Sequence, residues 1–78
     1  MNQFKYNDAM IFKGTLAGTS STTYTPAADC GHTYKVSAAG KINGINVEVG
    51  DLLICTTDNT SAATSSNVNT VKTNWAII

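Results

Sequence analysis

The fold of this chain is decided by residues 42–56, which read INGINVEVGDLLICT. The dipeptide Asn43-Gly44 is the strongest short signal for a β-hairpin, because both residues readily adopt the positive φ angles of a tight turn. Apolar and polar residues then alternate over residues 45–49. This alternation predicts a second hairpin arm whose apolar side chains all lie on one face of the strand. These are Ile45, Val47 and Val49.

The second half of this stretch predicts a buried strand. Gly50-Asp51 interrupts the alternation, and the run LLICT at residues 52–56 follows it. A short continuous apolar run bounded by turn residues is typical of a strand that is buried on both faces.

The segments on either side of this stretch predict further strands. TYKVSA at residues 33–38 alternates in polarity, which predicts a half-buried strand. AMIFKGT at residues 9–15 predicts a first strand in which Gly14 introduces a kink or a bulge. VKTNWAII at residues 71–78 closes the chain as a last strand. Long polar connections are expected at residues 16–31 and 57–70. The first of these is expected to be a loop or an irregular edge strand.

These segments together define the expected fold class. No helical period extends over a window of about 11 residues, and no internal repeat is present. Several short strands separated by turn signals predict an all-β fold, a small barrel or sandwich of about five to seven short antiparallel strands. Residues 1–78 are expected to form a single β-module, either a complete small domain or a fragment of a longer protein.

Composition excludes some classes of partner. Five cations balance five acids, and all the cations are scattered lysines. Nucleic-acid binding needs a basic stripe that neutralises phosphates, so we expect no nucleic-acid partner. No stretch approaches the roughly 20 apolar residues of a membrane-spanning helix, so we expect no membrane span. A core of fewer than about 80 residues supplies only about 3–5 kcal/mol, so the domain profits from an oligomer or a neighbour.

The sequence gives little support to catalysis. His32 is the only histidine, and Cys30 stands two residues before it. Residues two apart on a strand share a face without a preset hydrogen bond, and no third orienting group is marked, so a structural role is favoured over a Cys–His nucleophile. The cysteines Cys30 and Cys55 are too few for a disulfide framework; two buried thiols are favoured over a single bridge. We therefore expect no enzyme, no cofactor and no metal.

Three residues are candidate ligand-binding groups. Tyr24 lies in a polar, threonine-rich loop and is the aromatic residue that we expect to be exposed, where it can stack on a sugar or contact a protein. Asp58-Asn59 begins like a calcium loop, but the spaced ligands and closing glutamate are missing, so a turn is expected. Trp75 lies in an apolar strand and is expected in the core rather than as a stacking platform.

An ordered series of motifs resembles a small β-module of bacteriophage tail and head fibre proteins. In that family a DAM.FKG opening precedes a TY.V strand, then a VGDL.I strand and a late W.I strand. The matching residues here fall within 8–56 and 74–78, and the spans 17–31 and 57–73 match no motif. The matching segments are Asp8 to Leu16, Thr33 to Val36, Ala39-Gly40, Val47 to Cys55, and Asn74 to Ile77.

The resemblance implies a structural module of the virion, an extracellular particle. Its implied role is attachment within a fibre or as a decoration protein that supports host adsorption. Its implied partners are itself, as a homotrimer or other homo-oligomer, other virion proteins and a host-surface glycan. The family offers no catalytic residue to carry over. The alternative is a carbohydrate-binding module of a secreted bacterial protein, with Tyr24 and Trp75 as stacking groups.

Overall fold

A computed structural model describes residues 10–78, and these residues confirm the all-β class with six strands and one short helix. The number of strands lies within the predicted five to seven. The elements in chain order are β1 (Ile11–Ala17), β2 (His32–Ala38), β3 (Gly40–Ile42), β4 (Ile45–Val47), β5 (Leu52–Cys55), helix α1 (Val68–Val71), a 3₁₀ turn (Lys72–Asn74) and β6 (Trp75–Ile77).

Four of the strands form one open sheet in the order β1-β2-β5-β6, and β3-β4 forms a separate two-stranded sheet. The pairs β2-β5 and β5-β6 are antiparallel, as predicted. The pair β1-β2 is parallel, which corrects the expectation of purely antiparallel strands. A parallel pair needs a crossover of about a dozen residues or more, and the long loop 18–31 supplies it. Within residues 10–78 the sheet ends at β1 and β6 and does not close into a barrel.

The hairpin at Asn43-Gly44 is confirmed, since β3 and β4 pair on either side of it. Its second arm ends at Val47 and not at residue 49 as predicted. Val49 is 65% exposed, because the chain turns at once. The turn is held by the Asp51 N–H donating to the Glu48 carbonyl (3.1 Å) and the Glu48 N–H donating to Asp51 Oδ2 (2.9 Å).

The last predicted strand begins later than expected. Residues 68–74 are helical, and the pairing with β5 begins at Trp75. The helical turn starts where the N–H groups of Thr70 and Val71 both donate to the Asn67 carbonyl (2.9 Å each), and it buries Val71. Among residues 10–78 no helix is long and apolar enough to cross a membrane.

The core lies on one face of the four-stranded sheet, here called the front face. Residues paired directly across a sheet share a face, so the paired Tyr34, Leu53 and Ile77 mark it. The hairpin, helix α1 and parts of the loops pack against this face. The buried residues of the cluster are Ala28, Val36, Ile42, Val47, Leu53, Cys55, Ala63, Val71 and Trp75.

Strand β1 contains the predicted bulge. Its pairing with β2 skips from Phe12 to Gly14, which leaves Lys13 as the extra residue. Gly14 has φ of 143°, a conformation that residues with a side chain rarely adopt. The predicted role of Gly14 is therefore confirmed.

Candidate binding loops

Two long loops meet beside the sheet and form the candidate site. The first is the crossover 18–31, and the second is residues 56–67 after β5. They are joined by two main-chain hydrogen bonds, from the Ala28 N–H to the Thr60 carbonyl (3.0 Å) and from the Thr60 N–H to the Ala28 carbonyl (2.9 Å). This reciprocal pair makes one antiparallel bridge between loops that are far apart in sequence.

Two aspartates extend this bridge, and each caps the other loop. Asp29 Oδ1 accepts a hydrogen bond from the Asn59 N–H (2.9 Å), and Asp58 Oδ1 accepts one from the Cys30 N–H (3.0 Å). Hydrogen bonds to an ionised acceptor are stronger than neutral ones. The two carboxylates and the bridge between residues 28 and 60 together form what we call the clasp.

A buried layer of threonine and thiol lies beneath the clasp. Thr60 is 3% exposed, and its hydroxyl donates to the Thr57 carbonyl (2.6 Å). Cys55 is fully buried, and its Sγ lies 3.2 Å from that carbonyl oxygen and 3.3 Å from Thr60 Oγ1. Cys30 is half-buried, and the two cysteines are not bonded to each other. The expectation of a buried thiol is confirmed for Cys55.

The candidate residues Asp58 and Asn59 lie in a turn, as predicted. Both are exposed, and Asn59 adopts φ of 58°, a region that asparagine tolerates better than most residues. One Asp58 oxygen is used by the clasp. Within residues 10–78 no group of three or more His, Cys, Asp or Glu side chains is placed to hold a metal ion.

Tyr24 occupies a different part of the first loop. Its two neighbours bond to the hairpin, the Thr23 N–H to the Lys41 carbonyl (2.9 Å) and the Thr25 N–H to Asn43 Oδ1 (3.1 Å). These bonds hold the backbone on both sides of an aromatic ring that is 40% exposed. Tyr24 is therefore exposed as expected, but Phe12, at 63%, is more exposed. Tyr24 is anchored to the hairpin, whereas Asp58 and Asn59 are anchored to the clasp.

No family model, curated protein or solved structure matches the chain.

The remaining sequence candidates have structural positions. Trp75 is 8% exposed and lies 6.0 Å from the Tyr34 ring, which confirms its place in the core. A glycan has no access to its ring face in this position. His32 is bonded to the backbone of Asp29, because the His32 Nδ1 accepts a hydrogen bond from the Asp29 N–H (3.3 Å) and the His32 main-chain N–H donates to the Asp29 carbonyl (3.1 Å).

Sequence reasoning missed two residues that position the loops. The sequence gives no reason to single out Asp29, and it marks Asn43 only as a turn residue. Each acts on a partner that is distant in sequence, Asp29 on Asn59 and Asn43 on Thr25. Both residue types favour turns and bond to nearby backbone, and this was the only available signal. A preference for turns does not show which distant loop the side chain will bond to.

Removing the clasp carboxylates should loosen both loops without unfolding the sheet. In Asp29→Ala and Asp58→Ala we expect each substitution to cost about 1 kcal/mol locally, because one capped N–H loses its acceptor. Amide hydrogen exchange at Asn59 and Cys30 should then accelerate about fivefold, while exchange in β5 stays slow.

A matched control is Asp51→Ala, because this carboxylate caps the Glu48 N–H in a turn of its own. It should accelerate exchange at Glu48 and leave Asn59 unchanged. Unaltered exchange at Asn59 in Asp29→Ala would show that the clasp does not hold the loops.

Proposed function

We propose that this chain is a structural module of a bacteriophage fibre or virion decoration protein that supports adsorption to the host. One observation carries the proposal. Four of the five motif segments of the resemblance have described residues in β1, in β2, around β5 and in β6, which are the four strands of a single sheet, and the fifth, Ala39-Gly40, leads from β2 into β3. The ordered motifs therefore coincide with the strands that build the main sheet. Short matches that arose by chance are not expected to fall on all the strands of one sheet.

The spans without a motif form the candidate binding loops. The spans 17–31 and 57–73 contain Tyr24, Asp58 and Asn59, and the clasp joins them. Binding residues are commonly found on loops that a rigid scaffold positions. A framework with distinct loops suits an attachment module, in which the sheet builds the assembly and the loops contact the host surface.

Association with further copies is part of the proposal. A chain of 78 residues gains little stability from one core, and a partner that binds only the folded state adds to it. Weak contacts at each copy would be strengthened by repetition, which raises overall avidity by about 10² to 10⁴.

Two measurements on the full chain test this proposal. We expect light scattering coupled to gel filtration to give a multiple of 8.2 kDa at micromolar concentration. We also expect the labelled oligomer to bind cells of its bacterial host and Tyr24→Ser to weaken that binding without changing the mass. A stable monomer that binds no cells would refute the proposal.

The second candidate is a carbohydrate-binding module of a secreted bacterial protein. It is favoured by the Tyr24 ring, which is exposed between two residues fixed to the hairpin. An exposed ring on a fixed backbone is a suitable stacking platform for a sugar. Glycan binding by a monomer, lost in Tyr24→Ala, would favour this candidate over the first.

A further inference from the structure

The hairpin turn contains the only Asn-Gly dipeptide of the chain, Asn43-Gly44. In such a dipeptide the main-chain nitrogen of the glycine can attack the side-chain carbonyl carbon of the asparagine, because glycine has no side chain to hinder the approach. Here Gly44 is exposed, whereas Asn43 is 3% exposed. The nucleophilic nitrogen therefore belongs to a residue at the surface, and the amide that it would attack is buried.

The reaction replaces the side-chain amide of Asn43 by a carboxylate and consumes water. Solvent hydroxide takes the proton of the Gly44 N–H, and the nitrogen then forms a bond to Asn43 Cγ. The bond between Cγ and Nδ2 breaks, and Nδ2 takes up a proton from water and leaves as ammonia. Water then opens the cyclic succinimide at either carbonyl, which gives aspartate or isoaspartate.

Both reacting groups are held by threonines of the first loop. The Gly44 N–H donates to Thr22 Oγ1 (2.7 Å), so the proton that must be removed is hydrogen-bonded. The side-chain amide of Asn43 is bonded to Thr25 through both of its ends. Its Oδ1 accepts from the Thr25 N–H (3.1 Å), and its Nδ2 donates to Thr25 Oγ1 (3.0 Å). Expelling Nδ2 breaks the second of these bonds, so the native contacts oppose the reaction at both groups.

Main-chain bonds hold the same part of the first loop on the hairpin. The Thr23 N–H donates to the Lys41 carbonyl (2.9 Å), and the Thr23 carbonyl accepts from the Asn43 N–H (2.7 Å). Residues 22–25 and the turn are thus joined by main-chain and side-chain bonds together. A backbone bonded in this way is released only by local unfolding, so the reaction requires residues 22–25 to leave the hairpin.

We propose that Asn43 is a deamidation site protected by the first loop, and that its conversion releases this loop irreversibly. Aspartate cannot donate to Thr25 Oγ1, and it places a charge at a buried position. Isoaspartate adds a methylene group to the main chain of the turn, whose length fixes the register of β3 and β4. Either product weakens the contacts on both sides of Tyr24. The inference is independent of the proposed function.

The test compares rates of deamidation at Asn43. The full chain is kept in mildly alkaline buffer with and without urea, and conversion is located by mass spectrometry with fragmentation. The folded chain should react at least about tenfold more slowly than the unfolded chain, because the reaction waits for local opening. Thr22→Val and Thr25→Val each remove one hydroxyl acceptor with little change of shape. Each should accelerate conversion in the folded chain about fivefold, since one hydrogen bond is lost.

The matched control is Thr73→Val, because the Thr73 hydroxyl donates to the Thr70 carbonyl (2.6 Å), which is not part of the hairpin or the first loop. It should leave the rate at Asn43 unchanged. Circular dichroism establishes that each variant is folded. Equal rates in the folded and unfolded chains would overturn the proposed protection. Wild-type rates in both variants of the first loop would overturn it as well.

The release of the loop is measured on the converted chain, which anion exchange separates by its additional negative charge. Amide hydrogen exchange at Thr23 and Thr25 should be at least about fivefold faster than in the unconverted chain, because the bonds to the hairpin are weakened. Exchange in β5 should stay slow. Unchanged exchange at Thr23 and Thr25 in the converted chain would overturn the proposed release.

Discussion

Gly40→Ala is expected to leave this protein largely unfolded at 25 °C. A Cβ at position 40 would lie 2.6 Å from the Thr19 nitrogen and 2.7 Å from the Gly18 carbonyl carbon. Both are backbone atoms, so neither can turn away as a side chain does. The reciprocal approach is as close, since a Cβ at Gly18 would lie 2.7 Å from the Gly40 nitrogen. The two glycines let the start of the first loop lie directly against β3.

The expected cost exceeds what the fold can absorb. Gly40 has φ of 150°, so alanine adds backbone strain of about 1–3 kcal/mol to an overpacking cost of similar size. A core of this size supplies only about 3–5 kcal/mol. Far-UV circular dichroism and urea titration would measure the loss.

Gly14→Ala is the matched control for the close approach. Gly14 has φ of 143°, close to that of Gly40, but a Cβ there would meet nothing within 4 Å. It should therefore show the conformational strain alone and remain folded with a lower urea midpoint. Equal destabilisation by the two substitutions would mean that the contact between the first loop and β3 contributes nothing.

The sequence predicted those parts of the fold that depend on neighbouring residues. The hairpin at Asn43-Gly44 needs only residues that tolerate positive φ, and these are adjacent in sequence. The strand at 52–55 follows from a run of apolar residues, and the bulge at Gly14 follows from a glycine inside a strand pattern. Each of these signals is complete within a few residues.

The features that were missed depend on partners far away in the chain. The parallel pairing of β1 with β2 is set by where the loop 18–31 returns, and no local pattern encodes that path. Helix α1 has only four residues, too few to show a helical period, and it is stabilised by burying Val71. Val49 fits the alternation of apolar and polar residues, but the strand has already ended there because Glu48 and Asp51 form a turn.

The exposure of the three candidate residues could be predicted from the sequence, but the arrangement of the two loops could not. Composition and turn chemistry pointed to Tyr24, Asp58 and Asn59, and all three are exposed. That Asp58 caps Cys30, while Asp29 caps Asn59, requires the two loops to meet in space. Pairwise contacts between exposed loops leave no periodic trace in a single sequence.

Several side chains join the first loop to the hairpin. Among their substitutions, Asn43→Ala is expected to lower the free energy of unfolding most. Asn43 is 3% exposed, its Oδ1 accepts a bond from the Thr25 N–H (3.1 Å) and its Nδ2 donates to Thr25 Oγ1 (3.0 Å). Alanine leaves the buried Thr25 N–H without this acceptor, which costs about 1–3 kcal/mol. Its φ of 52° adds about 1 kcal/mol of strain for alanine. Together these approach the whole stability of the fold.

Asn59→Ala separates the two contributions. Asn59 has φ of 58°, and its N–H, which alanine keeps, donates to Asp29 Oδ1. It is exposed, so its substitution should cost little more than the conformational strain. A urea midpoint that falls two to three times further for Asn43→Ala than for Asn59→Ala would confirm that the Thr25 bonds hold the first loop. Equal shifts would mean that water replaces those bonds and that Tyr24 is not held by the hairpin.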